Sequence, residues 1–475
     1  MRKDWVDVSF GNLFFTTSGG TPSRKNISYF NGDIPWVKSG ELKNNVITNS
    51  DEFISREALN DSSAKIFPKG TLLLALYGAS IGKLAFLGIK AATNQAVCGI
   101  YENQYVLHKY TYYYLLNKKS YLIKQGIGGA QPNISQTILK KISFPLSPLL
   151  EQKAIVAKIE QLFSELDNGI ANLKTTQAKL KIYRQAVLKK AFSGELTKDW
   201  RKKQTNLPTA EQLIEQIKQE REEHYKHQLE EWQQVVKNFE ENGNQGDKPS
   251  KPKKQKVLSS LNGNDLRQLP SLNNYWKWST IDNFISFEPN AMKAGPFGSS
   301  LKKSFYTKTG YKIYGQEQVI SGNAFYGDYY VSEEKYQELL NCKVKPNDIL
   351  ISLVGTVGKV LILPENAEAG IINPRLIKVE LHKKYYLPKF FKYYFESGFL
   401  KNIYKIHSHG ATMDIITMGI IQSLPYPICS LEEQNQIVQE IESRLSVCDK
   451  IEETIEAALS KSEAIRQSIL KKAFE

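Results

Sequence analysis

One segment of the chain occurs twice, and this repeat is the strongest constraint on the fold. RQAVLKKAF (184–192) returns as RQSILKKAF (466–474), with seven of the nine residues identical. EQKAIVAKIE (151–160) returns as EQNQIVQEIE (433–442), and both pairs lie 282 positions apart, from 466 − 184 and 433 − 151. A constant offset across about forty residues indicates duplication of one continuous element rather than coincidence.

The repeated segments carry apolar residues at a heptad spacing. Apolar positions alternately three and four apart form a coiled-coil seam, so each copy predicts a long helix, and the duplication favours packing of the two helices on each other. The alternative for each copy is an amphipathic helix that lies on a domain. The predicted seam residues are Ile159, Leu166, Leu173, Leu180 and Val187 in the first copy, with Ile155, Leu162 and Tyr183 in its companion series, and Ile437, Ile441, Ile451, Ile455, Ile465 and Ile469 in the second, with Gly169, Thr176, Arg444 and Ser462 as interruptions.

The sequence before each repeated helix also matches its counterpart, now with gaps. LYGASIGKLAF (76–86) corresponds to LVGTVGKVLIL (353–363), and ISFPLSP (142–148) corresponds to SLPYPIC (423–429). Strand-like runs bounded by Gly, Pro or Asp, and helical stretches with aromatic inner faces, predict mixed α/β domains. The predicted boundaries are 1–148 for the first globular domain, 149–208 for the first long helix, 209–264 for a charged helix and linker, 265–429 for the second globular domain, and 430–475 for the second long helix.

The composition favours an anionic partner. Lys and Arg exceed Asp and Glu by 63 to 49, a formal net charge of +14. An excess of this size favours nucleic acid as the partner, although a soluble, self-repelling surface is the alternative.

The four cysteines are scattered without a CxxC pair, so they predict small core residues in a reducing compartment. No signal peptide or membrane-length apolar run is apparent, which predicts a cytoplasmic protein without membrane contact.

Catalytic signatures are absent from the sequence. It contains no Asn/Asp-Pro-Pro-aromatic segment, Gly-rich cofactor loop, GxSxG or HExxH motif. Asp348 with Glu380 and Lys383 resembles a nuclease pattern, but has one residue too many before the lysine. We therefore expect no catalytic residue, no bound cofactor and no metal site in this chain.

Several loops carry the residue types that contact DNA. GASIGK (78–83) and GTVGK (355–359) lack the spacing of a nucleotide-binding loop, but a Gly-Lys turn after a strand suits a DNA phosphate; a plain strand turn is the alternative. GGTPSRK (19–25) and GPFGSSLKK (295–303) combine glycine, hydroxyls and cations, while amides can pair with adenine and arginine with guanine. Each such residue is more often a turn or cap residue. The expected DNA contacts are Thr21, Ser23, Arg24, Lys25, Lys38, Ser80, Lys83, Asn94, Gln95, Gln131, Ser299, Ser300, Lys302, Lys303, Thr356, Lys359, Arg375 and Thr412.

These segments together resemble the specificity subunit of type I restriction–modification systems. The resemblance rests on GGTPSRKNISYFNGDIPWVKSGEL, the Gly-Lys turn, GGAQPNIS, LLEQKAIVAKIE and RQAVLKKAFSGELT, in the family's order and in two copies. The second half has GPFGSSL in place of GGTP and ends at KKAFE without SGELT. These departures suggest that the two domains read different DNA words and that the last helix lacks a small tail.

The resemblance implies an α+β fold in which two target recognition domains are separated by two long helices that form an antiparallel, pseudo-twofold coiled coil. It implies that each domain reads one half of a split, asymmetric site on double-stranded DNA. Two methyltransferase subunits would bring S-adenosylmethionine, and two motor-nuclease subunits would use ATP and Mg²⁺, so this chain needs no cofactor. The alternatives are a coiled-coil scaffold with protein-binding ends, or a self-contained DNA methyltransferase or nuclease.

Overall fold

The structure is a computed structural model that describes residues 4–125, 133–241, 249–254, 261, 266–267, 269–353, 358–398, 400 and 416–475. The chain forms two compact units. The first comprises Met1–Gln177 and Glu453–Glu475, and the second comprises Ala178–Glu452. In the part of the chain that the structure describes, no helix is both long and apolar enough to span a membrane.

The first unit is built on β-sheets with helices packed against them. Its strands are β1 (Val6–Ser9), β2 (Thr16–Ser18), β3 (Ile34–Val37), β4 (Asn45–Ile47), β5 (Phe53–Ile54), β6 (Ile66–Phe67), β7 (Leu72–Ala75), β8 (Leu84–Leu87), β9 (Ala91–Thr93), β10 (Val97–Ile100) and β11 (Ser143–Leu146), and its helices are α1 (Phe10–Leu13), α2 (Arg56–Asn60), α3 (His108–Gln125), α4 (Gln136–Lys141) and the start of α5 (Leu149–Phe192). The sheet orders are β2-β10-β7-β8-β4, β5-β3-β9-β6 and β1-β11. The apolar strand β7 is buried along its whole length because it lies inside a sheet covered on both faces.

The second unit has the same kinds of elements. Its strands are β12 (Lys277–Ser279), β13 (Met292–Ala294), β14 (Tyr311–Tyr314), β15 (Tyr330–Val331), β16 (Ile349–Ser352), β17 (Val360–Ile362), β18 (Gly370–Ile372), β19 (Leu376–Val379) and β20 (Tyr426–Ile428), and its helices are α6 (Lys198–Arg201), α7 (Ala210–Glu241), α8 (Gln316–Ser321), α9 (Glu333–Glu338), α10 (Pro388–Phe395), α11 (Met418–Ser423) and the start of α12 (Leu431–Ala473). The sheet orders are β13-β19-β16-β17, β15-β14-β18 and β12-β20.

The two units repeat one topology. The order β13-β19-β16-β17 matches β2-β10-β7-β8, and β15-β14-β18 matches β5-β3-β9. The two units also share a parallel pair at the same place, β3 with β9 and β14 with β18, and the first unit has a second parallel pair, β4 with β8. Strands β4 and β6 extend the sheets of the first unit. The predicted mixed α/β domains are therefore confirmed, and the duplication seen in the sequence is repeated in the strand order.

In both units the two long helices run antiparallel. In the first unit Arg466 forms an ion pair with Asp167, and its guanidinium lies 4.6 Å from the centre of the Phe163 ring. In the second unit Arg184 pairs with Asp449 at 2.6 Å. These two ion pairs are equivalent, because 466 − 184 and 449 − 167 are both 282. The predicted packing of the repeated helices on each other is confirmed inside each unit.

The buried seam differs from the predicted one in α12. In α5 the seam residues are buried or half-buried, as predicted, except Tyr183, which is 43% exposed. In α12 Ile437 is buried as predicted, but Ile451 and Ile465 are 39% and 46% exposed, so that part of the prediction is wrong. One heptad series stays buried or half-buried along α12, and Cys448 and Ser462 occupy it because small side chains also fit a helix seam. The inward positions of α12 are Ile441, Cys448, Ile455, Ser462 and Ile469, each 282 after its counterpart in α5.

The repeated RQ-x-x-LKKAF segments complete the cores of the globular domains. Phe192 packs edge-on against Phe390 and Tyr394 at 5.4 and 5.2 Å between ring centres. Phe474 packs in the same way on Tyr110 and Tyr114 at 5.1 and 5.4 Å. Thus the end of each helix copy is part of the unit that holds the other copy's globular domain. The paired lysines of both segments are exposed.

A buried glutamine near the start of each long helix ties that helix to its domain. Gln152 accepts from the N–H of Leu107 at 2.8 Å and donates to the carbonyls of Ser147 and Tyr105 at 2.8 and 3.1 Å. Gln434, which is 282 positions later, makes the same three contacts with Leu387, Cys429 and Tyr385 at 2.9, 2.9 and 2.8 Å. The glutamine of the repeated EQ pair therefore holds the start of each long helix to its globular domain.

Replacement of Gln152 by alanine tests this tie. Three backbone groups would lose their partner, one in a buried hydrogen bond and two in part-buried ones, and a buried unsatisfied group costs about 1–3 kcal/mol. We expect Gln152→Ala to lower the free energy of unfolding of the first unit by at least about 2 kcal/mol in urea titrations. The control is Gln161→Ala, which removes exposed contacts with Lys158 and Glu165 on the same helix. Equal losses for the two variants would contradict the assignment.

Candidate nucleic-acid interface

In the first unit, the predicted contact loops meet at the ends of β2 and β9. The N–H of Gly20 donates to the Thr93 carbonyl at 2.9 Å, which ties the 19–25 loop to the end of β9. The Thr21 hydroxyl donates to the Gln95 side-chain oxygen. Asn94 is half-buried, and its side-chain oxygen finds no partner among the described residues. The structure therefore brings Thr21, Asn94 and Gln95 into one surface.

The glycines of these loops serve the protein's own packing. A Cβ on Gly19 would lie 2.1 Å from the Thr93 carbonyl oxygen, and one on Gly295 would lie 1.9 Å from the Asn373 carbonyl oxygen. No side chain fits at such distances. These glycines let each loop lie against its own sheet, which fixes the position of the exposed hydroxyls and cations beside it.

The Gly-Lys turn of the first unit is a hairpin turn, whereas residues 354–357 of the second turn lie outside the described part of the chain. The 78–83 turn joins β7 to β8, and within it the N–H groups of Gly82 and Lys83 donate to Ala75 and Ser80 carbonyls at 2.8 and 2.9 Å. These two amides are therefore not free to hold an anion, contrary to the expectation for this turn. Ser80 is 6% exposed, which removes it from a surface role. Lys83 is half-buried and Lys359 is exposed, so phosphate contact here depends on side-chain charge.

Glu52 holds two of the predicted DNA cations. Its carboxylate contacts the Arg24 guanidinium and the Lys38 ammonium, each at 2.7 Å. The hydrogen bond from Lys38, followed by that from Arg24, lowers the pKa of Glu52 below its ordinary value despite partial burial. The Arg24 guanidinium also stacks over the Phe30 ring at 4.2 Å. Sequence reasoning missed Glu52, because a carboxylate is not a DNA-contacting residue type.

In the second unit, Arg375 is placed beside an amide that the sequence analysis did not select. The Arg375 guanidinium donates to the Gln316 side-chain oxygen at 3.3 Å, and the Gln316 amide donates to the Ser352 hydroxyl at 2.9 Å. Arg375 is exposed and Gln316 is half-buried. Gln316 follows β14 just as Ser39 follows β3, so the match between the two halves was the signal that could have found it.

The remaining predicted residues divide by exposure. Ser23, Lys25, Ser299, Ser300, Lys302 and Lys303 are exposed, as the DNA-contact prediction requires, whereas Lys38 is half-buried. Phe297, next to the two serines, is 75% exposed. Three predicted residues lie outside the described part of the chain: Gln131, Thr356 and Thr412.

The residues that resembled a nuclease pattern differ in exposure: Asp348 is buried, Glu380 is half-buried and Lys383 is exposed. Burial raises the pKa of Asp348 to about 6. The neighbouring Lys378 in β19 is 3% exposed, and burial lowers its pKa. Glu380 pairs with Lys345 at 3.3 Å. Among the described residues no group of three His, Cys, Asp or Glu side chains could hold a metal ion.

A family model and individual known proteins that resemble this chain all point to the same family. A family model described as "Type I restriction modification DNA specificity domain" matches residues 2–175 and 297–461. The chain is 22% identical over 493 residues to the type I restriction enzyme EcoKI specificity subunit of Escherichia coli K12, a match that covers 100% of this chain and 89% of that protein. It is 30% identical over 203 residues to the MjaIX specificity subunit of Methanocaldococcus jannaschii, covering 42% of this chain and only 44% of that relative.

Two solved structures share the fold. One, described as "Structural basis underlying complex assembly and conformational transition of the type I R-M system", matches with a TM-score of 0.62 and 15% identity, over 100% of this chain and 98% of that chain. The other is the HsdS subunit from Thermoanaerobacter tengcongensis, with a TM-score of 0.57 and 16% identity, over 100% of this chain and 97% of that chain. At 15% and 16% identity, the similarity to these two structures shows a shared fold.

Replacement of Glu52 by glutamine tests whether its ion pairs restrain the DNA cations. We expect Glu52→Gln to free Arg24 and Lys38, so that the salt dependence of DNA binding steepens by about one to two phosphate contacts. Stability should fall by less than about 1 kcal/mol, since Arg24 is exposed and Lys38 is partly exposed to solvent. Because the pKa of Glu52 is lowered in the fold, this contribution is present above the ordinary carboxyl pKa and is lost on acidification.

The matched control is Glu57→Gln, which removes the same charge from an exposed position in α2. Both variants gain one positive charge relative to the original chain, so a general charge effect would act on both. The same salt dependence for Glu52→Gln and Glu57→Gln, measured by fluorescence anisotropy with duplex DNA, would contradict the restraint.

Proposed function

The chain belongs to the type I restriction–modification DNA specificity family, and from this premise we propose that it selects the DNA site at which a type I restriction–modification complex acts. The observation that carries the proposal is the repeated topology with different side chains at equivalent loops. An asparagine follows both β9 and β18, but the next exposed side chain is Gln95 in the first unit and Arg375, beside Gln316, in the second. Two like frameworks with unlike reading surfaces suit a site made of two different words.

Each domain, we propose, reads one half of a bipartite, asymmetric site in double-stranded DNA. An exposed arginine next to an amide suits guanine, whose O6 and N7 accept two hydrogen bonds in the major groove. Asn94 and Gln95 suit adenine, which presents one donor and one acceptor there. Each good base contact contributes about 1–3 kcal/mol of discrimination, so a few such residues per domain are sufficient.

Most of the affinity is proposed to come from phosphates. The net charge of +14, and the exposed Lys25, Lys302, Lys303 and Lys359 beside the reading loops, provide cations for the DNA backbone. Such contacts fix the position of a protein on the duplex and carry no sequence information. Binding should therefore weaken strongly as salt is raised.

The long helices are proposed to set the length of the unread DNA between the two words. Helix α5 has 44 residues and α12 has 43, so each is about 65 Å long. The two would form a pseudo-twofold coiled coil with one recognition domain at each end. The boundaries predicted from the sequence, 1–148 and 265–429 for the recognition domains, belong to this proposal.

Two methyltransferase subunits are proposed to dock on the outward faces of the long helices, followed by two motor-nuclease subunits. Ile182, Val447, Ile451 and Ile465 are 71%, 56%, 39% and 46% exposed on these helices. Exposed aliphatic side chains on a helix are typical of a surface that a partner covers. S-adenosylmethionine, ATP and Mg²⁺ would be held by those partners. The chain itself would act in the cytoplasm without catalysing a reaction.

Substitution of Lys359 and Arg375 separates phosphate contact from base reading. We expect Lys359→Ala to weaken binding of cognate and unrelated duplexes by the same factor, because phosphate contacts carry no sequence information. Lys83→Ala should have the same effect in the first unit. Arg375→Ala should reduce cognate binding about tenfold or more and relax one base position. The affinities are measured by competition between cognate and unrelated duplexes for the complex of this chain with its methyltransferase subunits. A change of methylated sequence in Lys83→Ala or Lys359→Ala would exclude the phosphate assignment.

Insertion of one heptad into both long helices tests their role as a spacer. We expect seven residues added after Thr176 and after Ala458, its counterpart 282 positions later, to lengthen the unread gap by about three base pairs. Both half-site words should stay the same, since the recognition domains are untouched. Insertion into α5 alone is the control and should abolish modification by mismatching the helices. Methylome sequencing reads the gap directly, and an unchanged gap in the double insertion would refute the spacer role.

A further inference from the structure

The second unit contains a cavity of about 800 Å³ that DNA recognition does not use. Helix α7 forms one wall, the segment 249–254 forms another, and the turn from Ile285 to Met292 forms the third. Cavities of about 300–1,000 Å³ are typical of small-molecule sites. The volume is therefore sufficient for a ligand with more than one ring.

The walls of this cavity are held by specific contacts. Leu213 and Ile217 anchor the start of α7 in a buried cluster with Tyr385 and Ile428. Further along α7, the Trp232 indole N–H donates to the Pro249 carbonyl at 3.1 Å. The Lys254 ammonium contacts the Glu222 carboxylate at 2.8 Å, which fixes the other end of the 249–254 segment. The cavity is thus part of the folded second unit.

Two buried nitrogen atoms on the lining lack an acceptor. Arg221 is 9% exposed, and one nitrogen of its guanidinium donates to the Asp282 carbonyl, but its Nε finds no partner among the described residues. The Nε2 atom of the half-buried His224, one turn along the same helix, also finds none. A buried donor without an acceptor costs about 1–3 kcal/mol, more when it is charged. An anionic oxygen from a ligand would remove that cost.

Aromatic rings form much of the remaining wall. Tyr225, Trp232 and Phe287 all line the cavity and are half-buried. The Lys251 ammonium lies 5.9 Å from the centre of the Trp232 ring, so cation and aromatic face are presented together. Aromatic side chains of this kind bind planar heterocycles by stacking, at about 1–3 kcal/mol per base. Each of the other two rings also faces a cation, Lys254 over Tyr225 at 5.8 Å and Arg221 over Phe287 at 5.3 Å, so a heterocycle that stacks here lies beside positive charge.

The charge of the lining suits one phosphate rather than a nucleic-acid strand. Four cationic side chains line it, but three carboxylates, Glu231, Asp282 and Glu288, line it as well. Glu231 and Glu288 are exposed at the margin, where a carboxylate accepts hydrogen bonds from sugar hydroxyls. The amides of Gln228 and Gln422 can pair with the edge of a heterocycle. A long polyanion would be repelled by the same carboxylates.

We propose that this cavity binds a small ligand of the mononucleotide class. The base stacks among Tyr225, Trp232 and Phe287, and the phosphate accepts from Arg221 and His224. This site is separate from the reading loops, so its occupancy is a property additional to DNA selection. Nucleotide binding by the chain would couple the stability of α7 to the nucleotide concentration, because a ligand that binds only the folded state stabilises it.

Isothermal titration calorimetry of the full-length chain tests the site with AMP. We expect saturable binding at one site per chain with a Kd below about 1 mM. Adenosine lacks the phosphate and inorganic phosphate lacks the ring, so each should bind at least about tenfold more weakly. No saturation by AMP up to about 1 mM, or binding of phosphate as tight as that of AMP, would overturn the proposal.

Variants locate the binding. Trp232→Ala removes a stacking face, and Arg221→Lys keeps the charge but removes Nε; each should weaken AMP binding at least about tenfold. The control Lys237→Gln removes a cation from the same helix, outside the cavity, and should leave the Kd within about twofold. If circular dichroism shows that Arg221→Lys is unfolded, Gln228→Ala, which removes another side chain that lines the cavity, is tested in its place. AMP affinity unchanged in Trp232→Ala and Gln228→Ala would place binding elsewhere and overturn the proposal.

Discussion

Each unit depends on a helix end that comes from the other half of the sequence. Phe474 closes the aromatic core around Tyr110 and Tyr114, and Phe192 closes the equivalent core around Phe390 and Tyr394. Burial of a large aromatic side chain contributes several kilocalories per mole to stability; Phe192 is fully buried in its cluster, and the half-buried Phe474 packs against the other. Neither half of the duplicated sequence therefore contains a complete hydrophobic core of its own. The ion pairs of Arg184 and Arg466 then fix the antiparallel register of the helices in each unit.

This arrangement separates the parts that must be constant from the parts that can vary. The glutamine ties, the arginine ion pairs and the strand order recur in both units, and they make a frame that does not depend on the DNA word. The side chains at the ends of β9 and β18 differ, and they stand on that frame as exposed loops. Under the proposed function, a change in such a loop alters the sequence that is read without loss of the fold, because loop side chains contribute little to the core.

Much of the fold could be predicted from the sequence because it repeats. The constant offset of 282 predicted both long helices, their pairing and the two domains. Apolar runs such as Leu72–Ala75 predicted the central strands. The seam of α12 was predicted less well, because Ile451 and Ile465 fit the heptad count while small residues take the inward positions. Residue type alone does not decide which face of a helix meets its partner.

The reading surface was harder to predict than the fold. Glu52 lies 28 and 14 positions from the cations it holds, from 52 − 24 and 52 − 38, and only the folded sheet brings them together. Gln316 reaches Arg375 in the same way, across 59 positions. The buried glutamines carried no periodic signal, since hydrogen bonding by a side chain depends on backbone groups far along the chain. No residue-to-base code exists for such loops, so the DNA words do not follow from the sequence.

The central claim is that two unlike recognition domains read two words at a fixed separation. Single-molecule methylome sequencing of a host that carries this chain with its methyltransferase subunits tests it most directly. The account predicts one motif made of two different short words with an unread gap of constant length between them. A single continuous word, a gap that varies from site to site, or two identical words would contradict it.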